Sequence, residues 1–177
     1  MSPEVTVIGC DGRPFGPEAA QALAAAGLVI GAPRHLEAAA IPPGAERVEI
    51  KHLDAALDTL DARSGHVAVL ASGDPGFFGI VRALRGRGIE PIVIPATSSV
   101  TLAFARLGLD WDDALVVSAH GRDPRHALAA ALAHPKAAIL TAPRTASASD
   151  LGAELLAAGK RVYIAECLGT PRSRSST

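Results

Sequence analysis

Glycine-rich segments follow two short apolar runs of this sequence, and both have the composition of ligand-binding loops. In the first segment, Gly9 and Gly12 are three residues apart and flank Asp11. Because glycine lets backbone approach a ligand closely, this spacing favours a binding loop, with a wide turn as the alternative. The segment lacks the Gly-x-Gly-x-x-Gly spacing of nicotinamide dinucleotide sites.

The second segment, Ser72–Gly79, contains three glycines and two phenylalanines, Phe77 and Phe78. Pro75 biases Asp74 towards an extended conformation. The density of glycine and aromatic residues favours a loop folded against a flat ligand. A Pro-Gly turn whose phenylalanines enter the core is the alternative. The Lys-Ser/Thr pair of a Walker loop is missing, so the segment does not predict a phosphate site.

Serines open the helix predicted after the fifth apolar run, in the segment Pro95–Ser99. Serine at such a position is first of all a helix N-cap. Beside the Ser72–Gly79 loop, however, the free amide groups near Ser98 and Ser99 could also hold a carboxylate or a peptide-like end of a ligand.

The second half of the chain offers one histidine and two arginines in loops that follow predicted strands. His120 could act as an acid or base, although a lone histidine is more often a hydrogen-bonded structural residue. Arg122 and Arg144 could pair with substrate carboxylates, or could simply be solvated. The sequence shows no Ser/His/Asp order, no paired catalytic carboxylates and no metal-ligand cluster, so no metal is predicted.

A repeating strand–loop–helix pattern positions these loops. Near-continuous apolar strands alternating with helices predict a mostly parallel sheet covered on both faces. The polar stretch 110–113 breaks the pattern, which predicts an N-terminal domain of residues 1–109 and a smaller domain of residues 113–177. The polar residues 171–177 are predicted to fray. Strands are predicted at 5–8, 28–30, 47–50, 67–71, 92–94, 114–118, 137–140 and 161–165, and helices at 17–26, 33–40, 53–62, 79–87, 99–107, 126–133 and 150–158.

Composition excludes several classes of protein. The 177 residues carry a net charge of −1, which is not the basic footprint of a nucleic-acid binder. The two cysteines, Cys10 and Cys167, are far apart, which argues against a disulfide framework or a zinc knuckle. We expect no signal peptide and no membrane span, and therefore a cytoplasmic location.

Six motifs in chain order carry a family resemblance. Together they resemble the tetrapyrrole methylase family and, within it, the precorrin-6Y or cobalt-precorrin-7 C(5)-methyltransferase branch of cobalamin biosynthesis. The similarity runs from about residue 5 to residue 172. The motifs are Val7–Gly12, Gly73–Gly79, Pro95–Val100, Ala103–Gly108, Ser118–Arg122 and Glu166–Pro171.

The resemblance implies an α/β, two-domain tetrapyrrole methylase-like fold, with S-adenosyl-L-methionine in the cleft between the domains. It also implies a homodimer and a precorrin substrate that is methylated at C(5). A C(15)-methylating decarboxylase would act on the same intermediate. The family continues with a further strand pair, and the polar residues 172–177 leave open whether the second domain has its last strands. The implied cofactor-binding residues are Gly9, Asp11, Gly12, Gly73, Asp74, Pro75, Phe77, Ser98, Ser99, His120, Thr141 and Ala142.

Such a reaction needs little machinery from the protein. The sulfonium methyl is already activated and the tetrapyrrole carbon is electron-rich, so alignment of the two contributes up to about 7–11 kcal/mol. His120 is the candidate base for proton loss. The alternatives are another activity of the same family, namely that of a uroporphyrinogen methylase, a diphthine synthase or a ribosomal-RNA methylase, and a non-catalytic ligand-binding module.

Overall fold

The computed structural model describes residues 3–61, 63–77, 79–120, 123–141, 147–166, 168 and 174–176. The chain forms two compact units, Met1–Ser98 and Ser99–Thr177. The boundary inferred from the sequence lies between residues 109 and 113, about ten residues further along. The division into domains of residues 1–109 and 113–177 stays a prediction.

The first unit contains a five-stranded sheet in the order β3-β2-β4-β1-β5, in which all paired strands are parallel. The alternating pattern of strands and helices read from the sequence is therefore confirmed. The elements are β1 (Glu4–Cys10), α1 (Pro17–Ala25), β2 (Leu28–Gly31), α2 (Pro33–Ala38), β3 (Glu46–Glu49), α3 (Leu53–Asp58), β4 (His66–Ser72), α4 (Ile80–Gly86) and β5 (Ile92–Ile94).

Helices cover both faces of this sheet. Side chains alternate along β1, so that Val5 and Val7 pack with α3 and α4, whereas Ile8 packs with α1 and α2. The central strands are therefore buried on both sides, and Val67, Ala68, Val69 and Leu70 of β4 are each at most 2% exposed. This burial explains the near-continuous apolar runs in the sequence.

Helices α2 and α3 of the first unit end two or more residues before the predicted position, whereas α1 and α4 differ from the prediction by one residue at one or both ends. Helix α2 ends at Ala38 instead of residue 40, three residues before the Ile41–Pro43 segment, in which Pro42 and Pro43 disfavour a continued helix. Helix α3 ends at Asp58 instead of residue 62. There the chain continues in tight turns, with the Leu60 N–H donating to the Leu57 carbonyl at 3.0 Å.

The second unit contains α5 (Ser99–Leu107), β6 (Leu115–Ser118), α6 (Pro124–Ala133), β7 (Ala137–Leu140), α7 (Ala148–Ala157), β8 (Ile164–Glu166) and β9 (Arg174–Ser176). Strands β6 and β7 are parallel neighbours. A small core of Ala119, Ala127 and Leu151 joins β6, α6 and α7.

Residues 174–176 near the polar end of the chain form a strand, which corrects the expectation of fraying for these three residues; residues 171–173 and 177 lie outside the described ranges. Residues Arg174–Ser176 of β9 pair antiparallel with Ile164–Glu166 of β8. The prediction failed because it looked for an apolar run, whereas strand pairing uses backbone N–H and C=O groups that every residue type but proline supplies. Among the described residues, no helix is long and apolar enough to cross a membrane.

Candidate functional site

The carboxyl ends of β4, β1 and β5 lie side by side in the sheet, and they carry the three loops that the sequence singled out. Strand β1 leads into α1 on one face, and β4 leads into α4 on the other. Neighbouring strands whose connections leave on opposite faces open a crevice between their loops, which is where open α/β sheets bind ligands. The topology therefore brings the first-unit candidates to one edge.

Gly9 is the point where the three loops meet. A Cβ atom at this position would lie 2.5 Å from the Gly73 carbonyl oxygen and 2.5 Å from the Ala96 backbone nitrogen. The Gly73 N–H also donates to the Cys10 carbonyl at 2.7 Å. The loops after β1, β4 and β5 are therefore packed backbone against backbone, and only glycine fits at position 9.

Asp11 joins the loop after β1 to the loop after β5. Its carboxylate accepts hydrogen bonds from the Arg13 N–H at 3.1 Å and the Thr97 N–H at 3.4 Å. Burial alone would raise the pKa of Asp11. The backbone bonds, the Thr97 hydroxyl and the Arg13 guanidinium outweigh burial and lower the pKa below its ordinary value of 3.8. Asp11 is therefore a fixed negative charge at this edge.

Asp74 organises the loop after β4. Its side chain accepts a hydrogen bond from the Gly76 N–H at 2.8 Å, which forms a local turn, and the Phe77 N–H donates to the Asp74 carbonyl at 3.1 Å. Gly73 has a φ of +63°, a conformation that disfavours side chains. Pro75 is buried and Phe77 is half-buried.

The other candidates near this edge differ in exposure. Ser98 is 8% exposed and directly precedes α5. Ser99 is the first residue of α5 and is exposed, and Gly12 is exposed with a φ of +88°. Phe78 lies outside the described residues.

Cys10, at the end of β1, is a neutral thiol at physiological pH. Burial, followed by the negative charge of Asp11, raises its pKa to about 11. A thiol with so high a pKa has almost no thiolate, which is the reactive form. Cys10 is therefore not a nucleophile of this site.

The loop after β4 borders a cavity of about 270 Å³. Two arginines of α4 give its wall a positive rim, and Arg85 also donates to Glu90 at 3.1 Å. The lining residues are Pro75, Gly76, Phe77, Gly79, Val81, Arg82 and Arg85.

In the second unit, two candidates follow the neighbouring strands β6 and β7. His120 is exposed, and its N–H donates to the Ser118 hydroxyl at 3.2 Å. Thr141 is exposed and comes directly after β7. Since β6 and β7 are parallel, both residues lie at the same edge of this pair. Ala142, Arg122 and Arg144 lie outside the described residues.

A cluster that the sequence analysis missed lies at the ends of β2 and β4. Arg34 donates to the Ser72 hydroxyl from Nη2 at 2.6 Å, and His35 Nε2 lies 2.9 Å from the same oxygen. Burial, followed by the charge of Arg34, lowers the pKa of His35. The sequence could have indicated this cluster, because Arg34 and His35 follow an apolar run, as the other candidate loops do.

The described part of the chain shows no metal-ligand geometry. No group of three or more His, Cys, Asp or Glu side chains there could hold a metal ion.

Comparison with known proteins places the chain in a family. The family model of tetrapyrrole (corrin/porphyrin) methylases matches residues 9–177. The precorrin-6Y C(5,15)-methyltransferase [decarboxylating] of a Sinorhizobium species is 39% identical, over 100% of this chain and 45% of that protein. The cobalt-precorrin-7 C(5)-methyltransferase of Salmonella typhimurium is 36% identical, over 81% of this chain and 72% of that protein.

A solved structure has the same fold. The uroporphyrin-III C-methyltransferase of Thermus thermophilus, in complex with S-adenosylhomocysteine, superposes with a TM-score of 0.65 at 22% identity, covering 98% of this chain and 82% of that one. The α/β fold class and the resemblance to the precorrin-6Y and cobalt-precorrin-7 branch are thereby confirmed. The chain belongs to the tetrapyrrole methylases.

Proposed function

We propose that this chain transfers a methyl group from S-adenosylmethionine to ring carbon C(5) of a precorrin in cobalamin biosynthesis. The observation that carries the proposal is that the Sinorhizobium and Salmonella relatives share the C(5) step in their names. The chain spans 45% of the first relative, whose name also includes C(15), and 72% of the second, whose name includes C(5) alone.

The residues at the edge of the first sheet fit a cationic cofactor. Asp11 is ionised, and its bonds hold the loops together. Asp74 uses one carboxylate oxygen for the Gly76 N–H, and its other oxygen has no hydrogen-bond partner among the described residues. That oxygen can accept from an ammonium or ribose hydroxyl group, and the glycine-rich backbone admits a close approach. When bound, the cofactor supplies an activated sulfonium methyl group.

The chain's own part in the reaction is positioning. The backbone packing at Gly9 and the Asp11–Thr97 bond fix three loops before any ligand arrives, so that little ordering remains to be done on binding. We propose that Gly9, Gly12, Gly73, Pro75, Phe77, Ser98 and Ser99 line this part of the cofactor site. The cofactor contacts of His120, Thr141 and Ala142 that the family resemblance implies stay predictions.

Substrate contacts and proton transfer belong to the same proposal. Arg122 and Arg144 would bind carboxylate arms of the precorrin. His120 would accept the proton that the methylated carbon framework releases, and the exposure of its side chain leaves it accessible to a ligand.

Transfer of a labelled methyl group from S-adenosylmethionine to a panel of precorrins, followed by mass spectrometry, tests the activity. We expect one added methyl group on a precorrin-7-type substrate. In parallel, S-adenosylhomocysteine at about 100 times its dissociation constant should stabilise the fold by about 2.7 kcal/mol, which raises the melting temperature. Binding without transfer to any tetrapyrrole would identify a ligand-binding module instead.

The variant Asp74→Asn tests the cofactor contact. Asparagine keeps an oxygen for the Gly76 N–H, so the turn should persist, but the negative charge is lost. We expect weaker binding of S-adenosylmethionine by about tenfold, in line with the loss of one charge-assisted hydrogen bond. The exposed Asp112→Asn is the control. Equal affinities of the two variants would place Asp74 outside the site.

We also propose that the protein is a cytoplasmic homodimer that shares its intermediate with a C(15)-methylating decarboxylase. We propose that the dimer interface covers exposed apolar side chains of the second unit, such as Trp111 at 39% and Leu156 at 60% exposure. Light scattering that finds a monomer at micromolar concentration would contradict the dimer.

A further inference from the structure

Arg34, Ser72 and His35 form a side-chain cluster at the carboxyl edge of the first sheet. Ser72 is the last residue of β4, and Arg34 and His35 lie in the first turn of α2, directly after β2. Strands β2 and β4 are neighbours, with Gly31 opposite Leu70. The cluster therefore lies between the ends of β2 and β4, and Ser72 directly precedes the loop after β4 that is proposed to hold the cofactor.

Hydrogen-bond chemistry fixes the direction of the contact between Arg34 and Ser72, and the direction of the contact between Ser72 and His35 follows the tautomer of the imidazole. A guanidinium group only donates, so the Ser72 oxygen accepts from Arg34 at 2.6 Å. The hydroxyl proton of Ser72 is then free to be donated to Nε2 of His35, 2.9 Å away. A neutral imidazole can accept it, and the lowered pKa of His35 favours the neutral form. Ser72 and His35 together hold the guanidinium of Arg34 in place.

The contacts of the Arg34 guanidinium differ from those of most arginines in the first unit. Four others form ion pairs with carboxylates, namely Arg13, Arg63, Arg85 and Arg87. Among the described residues, Arg34 contacts a hydroxyl group and no carboxylate. An oriented guanidinium with free donors, next to the ligand-binding edge of the sheet, suits the two-point recognition of a carboxylate.

We propose that Arg34, oriented by Ser72 and His35, binds a carboxylate of the substrate at this edge. The inference rests on the proposed function, because a precorrin presents several carboxylate arms and is large enough to extend beyond the cofactor loops. It adds a substrate contact in the first unit to those proposed for Arg122 and Arg144. Arg34 makes the contact, and Ser72 and His35 are positioning residues.

The first arm of the test uses a porphyrin that carries eight carboxylates as the substrate probe, and S-adenosylhomocysteine as the cofactor probe. Arg34→Gln should weaken porphyrin binding by about ten- to a hundredfold and leave S-adenosylhomocysteine binding unchanged. Arg34→Lys keeps the charge but loses the planar fork, so its loss should be smaller. The matched control is Arg47→Gln, an exposed arginine on β3, which should change affinity less than twofold.

Two results of this arm would overturn the inference. Equal porphyrin affinities of Arg34→Gln and Arg47→Gln would show that the cluster binds no carboxylate. Weaker S-adenosylhomocysteine binding by Arg34→Gln would assign the site to the cofactor's own carboxylate. Melting temperatures of all variants, measured alongside, separate a lost contact from a lost fold.

The second arm does not depend on the tetrapyrrole. Citrate serves as a small carboxylate probe, and the His35 imidazole is titrated by NMR. A bound negative charge should raise the pKa of His35 in the wild-type chain and leave it unchanged in Arg34→Gln. If citrate raises the pKa of His35 but the chain binds no porphyrin, the carboxylate site is supported and the proposed substrate is refuted. If porphyrin binds equally well to Arg34→Gln, and citrate leaves the pKa of His35 unchanged, the carboxylate site is refuted but the proposed function is not.

Discussion

Strand β4 of the first unit and strand β6 of the second both lead into a helix, but they are buried to different degrees. Val67, Ala68, Val69 and Leu70 of β4 are each at most 2% exposed. All four residues of β6 are only half-buried. Strand β4 has a strand on each side and helices on both faces, whereas β6 pairs, within the described residues, with β7 alone.

Side-chain hydrogen bonds at helix N-caps show the opposite distribution between the two units. Helices α1 to α4 of the first unit begin without a side-chain hydrogen bond from the N-cap residue. In the second unit, Asp123 caps α6 and Ser147 caps α7. The first unit is thus stabilised mainly by its large double-sided core, and the second relies more on local hydrogen bonds around a smaller core.

The largest expected difference is the one between a buried leucine of β4 and a half-buried leucine of β7. Leu70→Ala in β4 should cost about 2–5 kcal/mol, because the side chain is 1% exposed and its loss leaves a cavity. Leu140→Ala in β7 should cost about 1 kcal/mol, since a half-buried side chain loses less apolar contact. Urea denaturation measures both free energies of unfolding. Equal costs would show that the second unit is as tightly packed as the first.

A second comparison uses two glycines of the first unit. Gly9→Ala should destabilise the fold by about 1–3 kcal/mol, because the new methyl group would overlap backbone atoms of Gly73 and Ala96. Gly16 has nothing within 4 Å of the corresponding position, so Gly16→Ala should cost at most about 1 kcal/mol, through the poorer N-cap that alanine gives α1. Thermal unfolding of both variants checks this, and a tolerated alanine at position 9 would contradict the packing described for the loops.

Helix caps provide the third comparison. Ser147→Ala should cost about 1 kcal/mol, since the Asp150 N–H loses its 3.1 Å bond to the Ser147 hydroxyl. His52 occupies the corresponding position of α3 without a side-chain cap bond, so His52→Ala should be nearly neutral. If chemical denaturation gives the same cost for both, the second unit does not depend on its caps.

The smallest effect is a difference in salt dependence between two aspartates. Hydrogen bonds and the charge of exposed Arg125 lower the pKa of Asp123 to about 2. The pKa of Asp11 is lowered mainly by backbone N–H groups, against its burial. Raising the salt from about 0.1 M to about 1 M should shift the pKa of Asp123 upwards more than that of Asp11, because exposed charges are screened more strongly.

The pH dependence of both aspartates has the same sign. Each folded-state pKa lies below 3.8, so each carboxylate stabilises the fold above that pH. This contribution is lost as the pH falls through the folded-state pKa values. NMR titration of the two carboxyl groups at both salt concentrations measures the shifts, and a larger response of Asp11 would contradict its description as the less screened group.

Much of the fold could be predicted from apolar periodicity and loop composition. Helix α5 and strands β5 and β7 begin and end at the predicted residues. The predictions failed where backbone bonding decides the structure, as in the polar strand β9 and the early end of α3, because side-chain patterns carry little information about such bonds.

The place of the candidate loops in the fold could be predicted, but their contacts could not. The rule that ligands bind at the ends of parallel strands selected the loops of Gly9, Asp11, Gly73 and Asp74, which lie side by side in the structure, and their role in binding stays a prediction. The bond from Thr97 to Asp11 joins residues that are far apart in the chain, so it depends on β1 and β5 being neighbours. Arg34 was missed because the loop after β2 contains no dense glycine motif, although the same rule applies to it.

The backbone packing at Gly9 also limits how this sequence can evolve. A side chain at position 9 would overlap two other loops at once, so it becomes tolerable only after both the Gly73 and Ala96 segments have shifted. The three stretches of sequence that pack here are therefore coupled, since a larger residue at position 9 requires changes in the other two. Gly16, only seven residues away, has no such coupling, because a Cβ atom there meets nothing within 4 Å.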